Sequence, residues 1–302
     1  MQVLPRITEG KHMKITHTDS SDEAIERLLE DERFKELVEG IELFDGMKLR
    51  LWSKEDVNDL MTSPHLLSDL RLPPIMCVLE KYFTDEGYEH PTIDQAKIDP
   101  IMRNGVLSLR LLKGGNIRAG PLLFVNVSGE RHLVARSGSQ EPLPEWHERP
   151  YELTFDEVSS LKKILERVQR IDFSKQRNLK IACKRFERAI LERDPEHKLI
   201  DLMIAFEALF WQGRRAEKSD RTKSTKRRIV EACSDLLGKN FEEREEIKHY
   251  MTKAFRIRNR IVHGSEQTKP IRYKQQGYWL PAFAWKIEDY LRRSIKKKLE
   301  FE

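Results

Sequence analysis

Leu199-Ile200-Asp201-Leu202-Met203-Ile204-Ala205-Phe206-Glu207-Ala208-Leu209-Phe210-Trp211 is apolar at every position except Asp201 and Glu207. A helix that is apolar on most of its sides belongs in the middle of a fold, so this stretch predicts a central, buried helix. Glu207 then lies inside the protein or at an interface, where an unpaired carboxylate is costly. It needs a cationic partner.

On both sides of this stretch the chain reads as helix. Apolar residues recur at helical spacing over about 176–193, 196–212, 223–238, 241–263 and 278–299. Thr154 with Glu157 forms a capping-box pattern ahead of Val158, Leu161, Ile164, Leu165 and Val168. Asp194-Pro195 separates two of the helices, and proline is tolerated in a first helical turn. Gly238 and Gly264 stand where C-terminal caps are expected. Long helices with short connections predict an antiparallel bundle over residues 151–302.

The first half has a different character. Residues 21–39 predict a helix capped by Ser21 or Asp22, and residues 54–70 predict a shorter one. From about 101 to 136 the sequence predicts short strands at Val106–Leu111, Leu122–Val127 and Arg131–Ala135, with Ser128-Gly129-Glu130 as a hairpin turn. Gly138, Pro142, Pro144 and Pro150 then mark a boundary. The predicted class is therefore α+β: a mixed helix and strand domain over 1–150, followed by an all-α bundle over 151–302. The first domain carries no P-loop, nucleotidyltransferase pattern or zinc-ligand set, and its character suggests recognition or regulation.

Composition bounds the function. The 302 residues are 39% hydrophobic and 35% charged, with a net charge of +5. No apolar run approaches the roughly 20 residues of a membrane helix, and Met1–Lys14 has no signal-peptide core. Cys77, Cys183 and Cys233 are far apart and read as reduced thiols, which fits the cytoplasm. No Cys/His cluster has metal-ligand spacing, so neither a metal nor a cofactor is expected. Between positions 214 and 228 lie Arg214, Arg215, Lys218, Arg221, Lys223, Lys226, Arg227 and Arg228, against only Glu217 and Asp220. Such a run attracts phosphates and is a candidate RNA-binding stretch.

The partner of Glu207 is predicted on the helix that ends near position 263. Ile247, Met251, Phe255 and Val262 fall on one stripe of that helix, and Arg258 lies within about 20 degrees of its middle. Arg256 and Arg260 fall toward the opposite, solvent-facing side and are further candidate RNA-binding residues, while Asn259 and His263 lie on the flank. Two charges on apolar faces, Glu207 and Arg258, are therefore expected to pair. A buried ion pair is weak evidence of stability and better evidence of a site.

Arg256-Ile257-Arg258-Asn259-Arg260-Ile261-Val262-His263-Gly264 also has the residue types for cutting a phosphodiester without a metal. Histidine can move a proton near neutral pH, as base or acid. Arginine stabilises charge that develops on phosphate. Asn259 can hold a phosphate oxygen or orient the imidazole. On an ideal helix Arg258 and His263 are about 140 degrees apart, so two chains pooling their residues would complete a site more readily than one.

The segment Arg258-Asn259-Arg260-Ile261-Val262-His263 has the R-x4-H form and resembles the signature of HEPN domains, a large group of helical-bundle ribonucleases. The Apea-like HEPN group is the nearer likeness. It combines an apolar helix with a central Glu, here Ile204–Phe210 around Glu207, with a second helix ending in R-[SN]-x-I-V-H-G, here Arg258–Gly264. Arg244 also fits the pattern, and the likeness spans about residues 154–299. The resemblance implies an antiparallel bundle that dimerises with two motifs facing each other. It implies metal-independent RNA cleavage by the ribose 2′-hydroxyl, with Arg258, Asn259 and His263 as catalytic residues and Glu207 orienting Arg258. RNA and a second copy of the chain are the expected partners, alongside a regulatory or sensed protein acting through residues 1–150, with no membrane. The expected setting is antiviral defence or a toxin-like system. A second expectation is a HEPN module that does not cut and instead binds RNA, a nucleotide or a protein.

Overall fold

Asp45 and Gly46 both have positive φ, 48° and 69°, the backbone a two-residue type I′ hairpin turn requires. They join β1 (Ile41–Phe44) to β2 (Met47–Leu51), and β3 (Cys77–Lys81) adds to β2, giving an antiparallel sheet in the order β1-β2-β3. Ile41, Leu43, Met47 and Leu49 are its buried positions. The computed structural model describes residues 41–51, 77–81, 95–115, 117, 122–125, 131–135, 151, 153, 155–210, 224–265, 270–273 and 276–300. The helices expected at 21–39 and 54–70, the turn at 128–130, the boundary at 138–150 and the Thr154 cap lie outside them. So do Trp211, Arg214, Arg215, Arg221 and Lys223.

The next element is a helix, α1 (Gln95–Leu112), which corrects the expectation of a strand at Val106–Leu111. Leu107-Ser108-Leu109-Arg110-Leu111 alternates apolar and polar like a strand, but over so few residues alternation is a weak signal. Ser108 is buried within this run, and its hydroxyl donates to the Asn104 carbonyl at 2.7 Å, one helical turn back. Pro100 inside the helix argues against one on sequence grounds. The other two expected strands form: β4 (Leu122–Val125) pairs antiparallel with β5 (Arg131–Ala135).

The remaining helices are α2 (Phe155–Arg170), α3 (Arg177–Leu191), α4 (Pro195–Phe210), α5 (Thr225–Leu237), α6 (Phe241–Val262) and α7 (Leu280–Glu300). Each falls where helical spacing predicts it. A hairpin that the sequence reading did not anticipate, β6 (Ile271–Tyr273) with β7 (Gln276–Tyr278), stands between α6 and α7. The described residues are thus mostly helical, with small antiparallel sheets, and none of their helices is long and apolar enough to cross a membrane. The chain divides into two compact units, 1–109 with 115–166, and 110–114 with 167–302.

The second unit is bundle-like, and α4 lies at its centre, packed most extensively on α3 and also on α7, α6 and α5. Leu199, Leu202, Met203, Ala205 and Phe206 of α4 are fully buried, as the apolar sequence predicts. Local signals set the helix ends. The Asp194 carboxylate accepts from the Glu196 and His197 amides at 2.7 and 3.2 Å, with Pro195 in the first turn. Asn240 caps α6 by accepting from the Glu243 amide at 2.8 Å, and Glu243 reaches back to the Lys239 amide at 3.0 Å. Cys183 and Cys233 are free and buried, and burial pushes both thiols up to about 12.

Two charges of α4 are buried in this unit. Asp201 receives Arg185 Nη1 at 2.7 Å and Arg188 Nε at 3.0 Å, both from α3. Lys198 Nζ lies 2.6 Å from Glu288 Oε2 on α7, and these side chains are only 10% and 12% exposed. Removing one partner of a buried pair strands the other charge, whereas replacing both with apolar groups need not destabilise. Lys198→Met should therefore lower unfolding stability by about 3 kcal/mol. The joint Lys198→Met/Glu288→Leu variant should recover most of that loss, and urea unfolding of the three proteins measures both effects.

Glu243 gives a pH-dependent contribution. Its hydrogen bonds from the Lys239 amide and from Arg293 hold its carboxyl below the usual carboxylate range. A depressed carboxyl stabilises the fold above its unfolded pKa, and that contribution disappears as pH falls through the folded value. Glu243→Gln should lower the melting temperature at neutral pH. The gap from wild type should shrink steadily below about pH 4, as read by thermal melts across that range.

Candidate active site

The last turns of α6 carry every residue of the sequence motif. The helix ends at Val262, and His263 is its C-cap, with φ −92° and ψ 15°. Gly264 follows at φ +77°, the left-handed region that favours glycine. Its amide donates to the Ile261 carbonyl at 2.9 Å, and the Ser265 amide donates to the Arg260 carbonyl at 2.9 Å. These two bonds form a Schellman ending, in which crossing hydrogen bonds satisfy the last carbonyls of the helix. The expected glycine cap at Gly264 therefore has a specific form. His263 sits where the backbone has just left helical dihedrals, so its side chain is freed from the ideal helical direction.

Arg258 and Glu207 meet as expected. Arg258 Nη2 lies 3.4 Å from Glu207 Oε1, joining α6 to the last turn of α4. The pair is shallower than the sequence suggests: the side chains are 26% and 35% exposed, not buried. Val262, placed on the apolar stripe by its spacing, is likewise 57% exposed. The cause is the same in both cases. The buried residues of α4 and α6 end at Phe206 and Ile257, so the final turns of both helices run to the rim of the core.

Arg258 has a second contact. Its Nη1 donates to Asn259 Oδ1 at 3.2 Å. Its Nε is buried and has no hydrogen-bond partner among the described residues. Asn259 thus holds the Arg258 guanidinium through its oxygen.

His263 and Asn259 face an open depression of about 460 Å³, lined also by Lys226, Thr252, Arg256, Arg260 and Ser265. Thr252, Arg256, Asn259, Arg260 and His263 follow one another at i, i+4, i+7, i+8 and i+11 on α6, so one exposed face of the helix forms its floor. Lys226, in the first turn of α5, closes a side. Arg256 and Arg260 are exposed, as their spacing predicts. Three cations, an imidazole, an amide and two hydroxyls make a surface suited to a phosphate-bearing ligand. Arg258 is not among the lining residues.

Of the basic run, Lys226, Arg227 and Arg228 are described. Arg227 Nε is engaged by Glu231 at 2.8 Å, and Arg228 donates to Thr225 Oγ1 at 3.4 Å, so Lys226 is the member that reaches the depression. Arg244, which fits the family pattern in sequence, donates from Nε to the Gly238 carbonyl at 3.2 Å and ties α6 to the end of α5. Lys226 was expected only as a member of the basic run, and Thr252 and Ser265 were in no predicted motif set. The α6 spacing of Thr252 to Arg256 was visible, but the approach of α5 was not. Among the described residues no group of three His, Cys, Asp or Glu side chains is placed to hold a metal ion. No family model, curated protein or solved structure matches the chain.

The exposure of the Glu207–Arg258 pair sets its energetic weight. An ion pair open to water at this level contributes about 1 kcal/mol or less. Glu207→Ala should lower unfolding stability by no more than that, well short of the loss from Lys198→Met, when both variants are unfolded in urea under the same conditions.

Proposed function

We propose that this chain is a metal-independent endoribonuclease of the HEPN kind, working through Arg258, Asn259 and His263 in a cytoplasmic defence or toxin-like setting. The observation that carries the reading is the joining of two features at one helix end. A guanidinium is fixed by Glu207 and Asn259, and directly beside it Asn259 and His263 face a depression lined by Lys226, Arg256 and Arg260.

The reaction needs an anion held in place and a proton moved. The ribose 2′-hydroxyl attacks the adjacent phosphorus, a 2′-O–P bond forms and the P–O5′ bond breaks. A base takes the 2′ proton, and an acid supplies a proton to the departing 5′ oxygen. The products are a 2′,3′-cyclic phosphate and a 5′-hydroxyl. His263 is the proton carrier in reach of the depression. The cations of the site stabilise the extra negative charge on phosphorus-bound oxygens in the transition state. One imidazole must perform the two proton transfers in turn. Two copies of the chain, with their α6 ends meeting across a two-fold axis, would divide them. The exposed Val262 beside His263 is the apolar contact such a pairing would cover.

Purified protein incubated with total RNA in EDTA should cleave it and leave 2′,3′-cyclic phosphate ends or their opened products. His263→Ala should abolish cleavage and leave the molar mass in solution unchanged at that of a dimer. Loss of cleavage in EDTA with recovery in magnesium would overturn the metal-free mechanism. A protein that binds RNA but leaves it intact would favour a HEPN-type binding module.

A further inference from the structure

Arg258 and the depression lie on different sides of α6. The guanidinium points at α4, where Nη2 meets Glu207 at 3.4 Å and Nη1 meets Asn259 at 3.2 Å. Its Nε is shut off from solvent. Two of the three nitrogen positions are thus directed at protein oxygens and the third is inaccessible. A guanidinium grips phosphate best by presenting two parallel N–H groups at once, and Arg258, committed to Glu207 and Asn259, does not line the depression. Arg256 and Arg260 stand on the opposite face, both exposed and both lining it, and Lys226 faces them from α5. Asn259 joins the two sides: its oxygen is taken by Arg258, which leaves its amide nitrogen as the group offered to the depression.

We propose that Lys226, Arg256 and Arg260 are the cations that hold the phosphodiester, and that Arg258 is a positioning residue. Braced by Glu207, Arg258 fixes the Asn259 amide so that its N–H group donates into the depression beside His263. The inference rests on the ribonuclease reading for its cleavage arm and stands apart from it for its binding arm.

The division separates affinity from turnover. Single-stranded binding loses about 0.7 in the slope of log affinity against log salt for each phosphate contact removed. The binding probe is a 2′-O-methyl oligoribonucleotide, which lacks the attacking hydroxyl, followed by fluorescence anisotropy over a salt series. Arg256→Ala/Arg260→Ala should weaken binding by about tenfold or more and reduce the slope by about 1.4. Arg258→Ala should leave affinity within about twofold and the slope unchanged, yet lower kcat on cleavable RNA by about 100-fold through loss of alignment. Glu207→Gln keeps the side-chain shape and removes the charge behind Arg258. It should lower kcat in the same direction, again without a change in affinity, and so covers the case in which Arg258→Ala fails to fold.

An Arg258→Ala or Glu207→Gln protein that loses affinity and salt slope as the double variant does would overturn the assignment. So would a double variant that binds like wild type, or a wild type that does not bind the probe. A wild type that binds the probe with this pattern but cuts no RNA would sink the nuclease reading and uphold the phosphate-holding set.

Discussion

The placement of α4 constrains everything else in the second unit. The helix is apolar on most sides and could slide or rotate in a greasy environment at little cost. Three of its charges remove that freedom. Lys198 must find Glu288 on α7, Asp201 must find Arg185 and Arg188 on α3, and Glu207 must find Arg258 on α6. A one-residue slip would strand at least one charge in an environment where an unpaired ion is costly. The three pairs lie on three different neighbours, so together they set the register and rotation of α4 against all of them. The end of α6, with its arginines and histidine, inherits its position from the last of the three.

Burial falls off along α4, and the pairs change character with it. Lys198 and Asp201 sit deep, where both partners must be present. Glu207 sits at the rim, where water reaches the pair and geometry matters more than energy. A rim position suits a group that must hold a neighbouring side chain at an angle and still lie near a ligand. It suits the Schellman ending of α6 too, because the left-handed Gly264 ends the helix at Val262 and leaves His263 as its cap.

Much of the helical part was legible in the sequence, because the apolar period runs through each helix. Asp194-Pro195 before α4 and Gly264 after α6 mark ends that the structure uses, while the caps at Ser224 and at Asn240 with Glu243 went unread. The period failed where it is weakest. Val106–Leu111 alternates over too few residues to separate strand from helix, and Pro100 argued against the helix that contains it. The Asp45-Gly46 turn was there to be read, since that dipeptide is a strong hairpin signal. The three-residue strands β6 and β7 carry too few positions to show alternation. In the site, the Glu207–Arg258 pair followed from two charges on apolar faces. Its depth did not, because spacing gives direction around a helix and not distance from the core. The approach of Lys226 depends on how α5 packs on α6, which no local pattern carries.

The two buried thiols make the second unit its own reporter of opening. Cys183 lies on α3 and Cys233 on α5, and burial holds each near 12, so almost no thiolate exists at neutral pH while the bundle is closed. A thiol-directed reagent therefore reads the rate at which each helix exposes its inner face. With one thiol on each of two elements that flank α4, labelling rates that match would show the bundle opening as one body. Rates that differ would locate the seam along which it first comes apart.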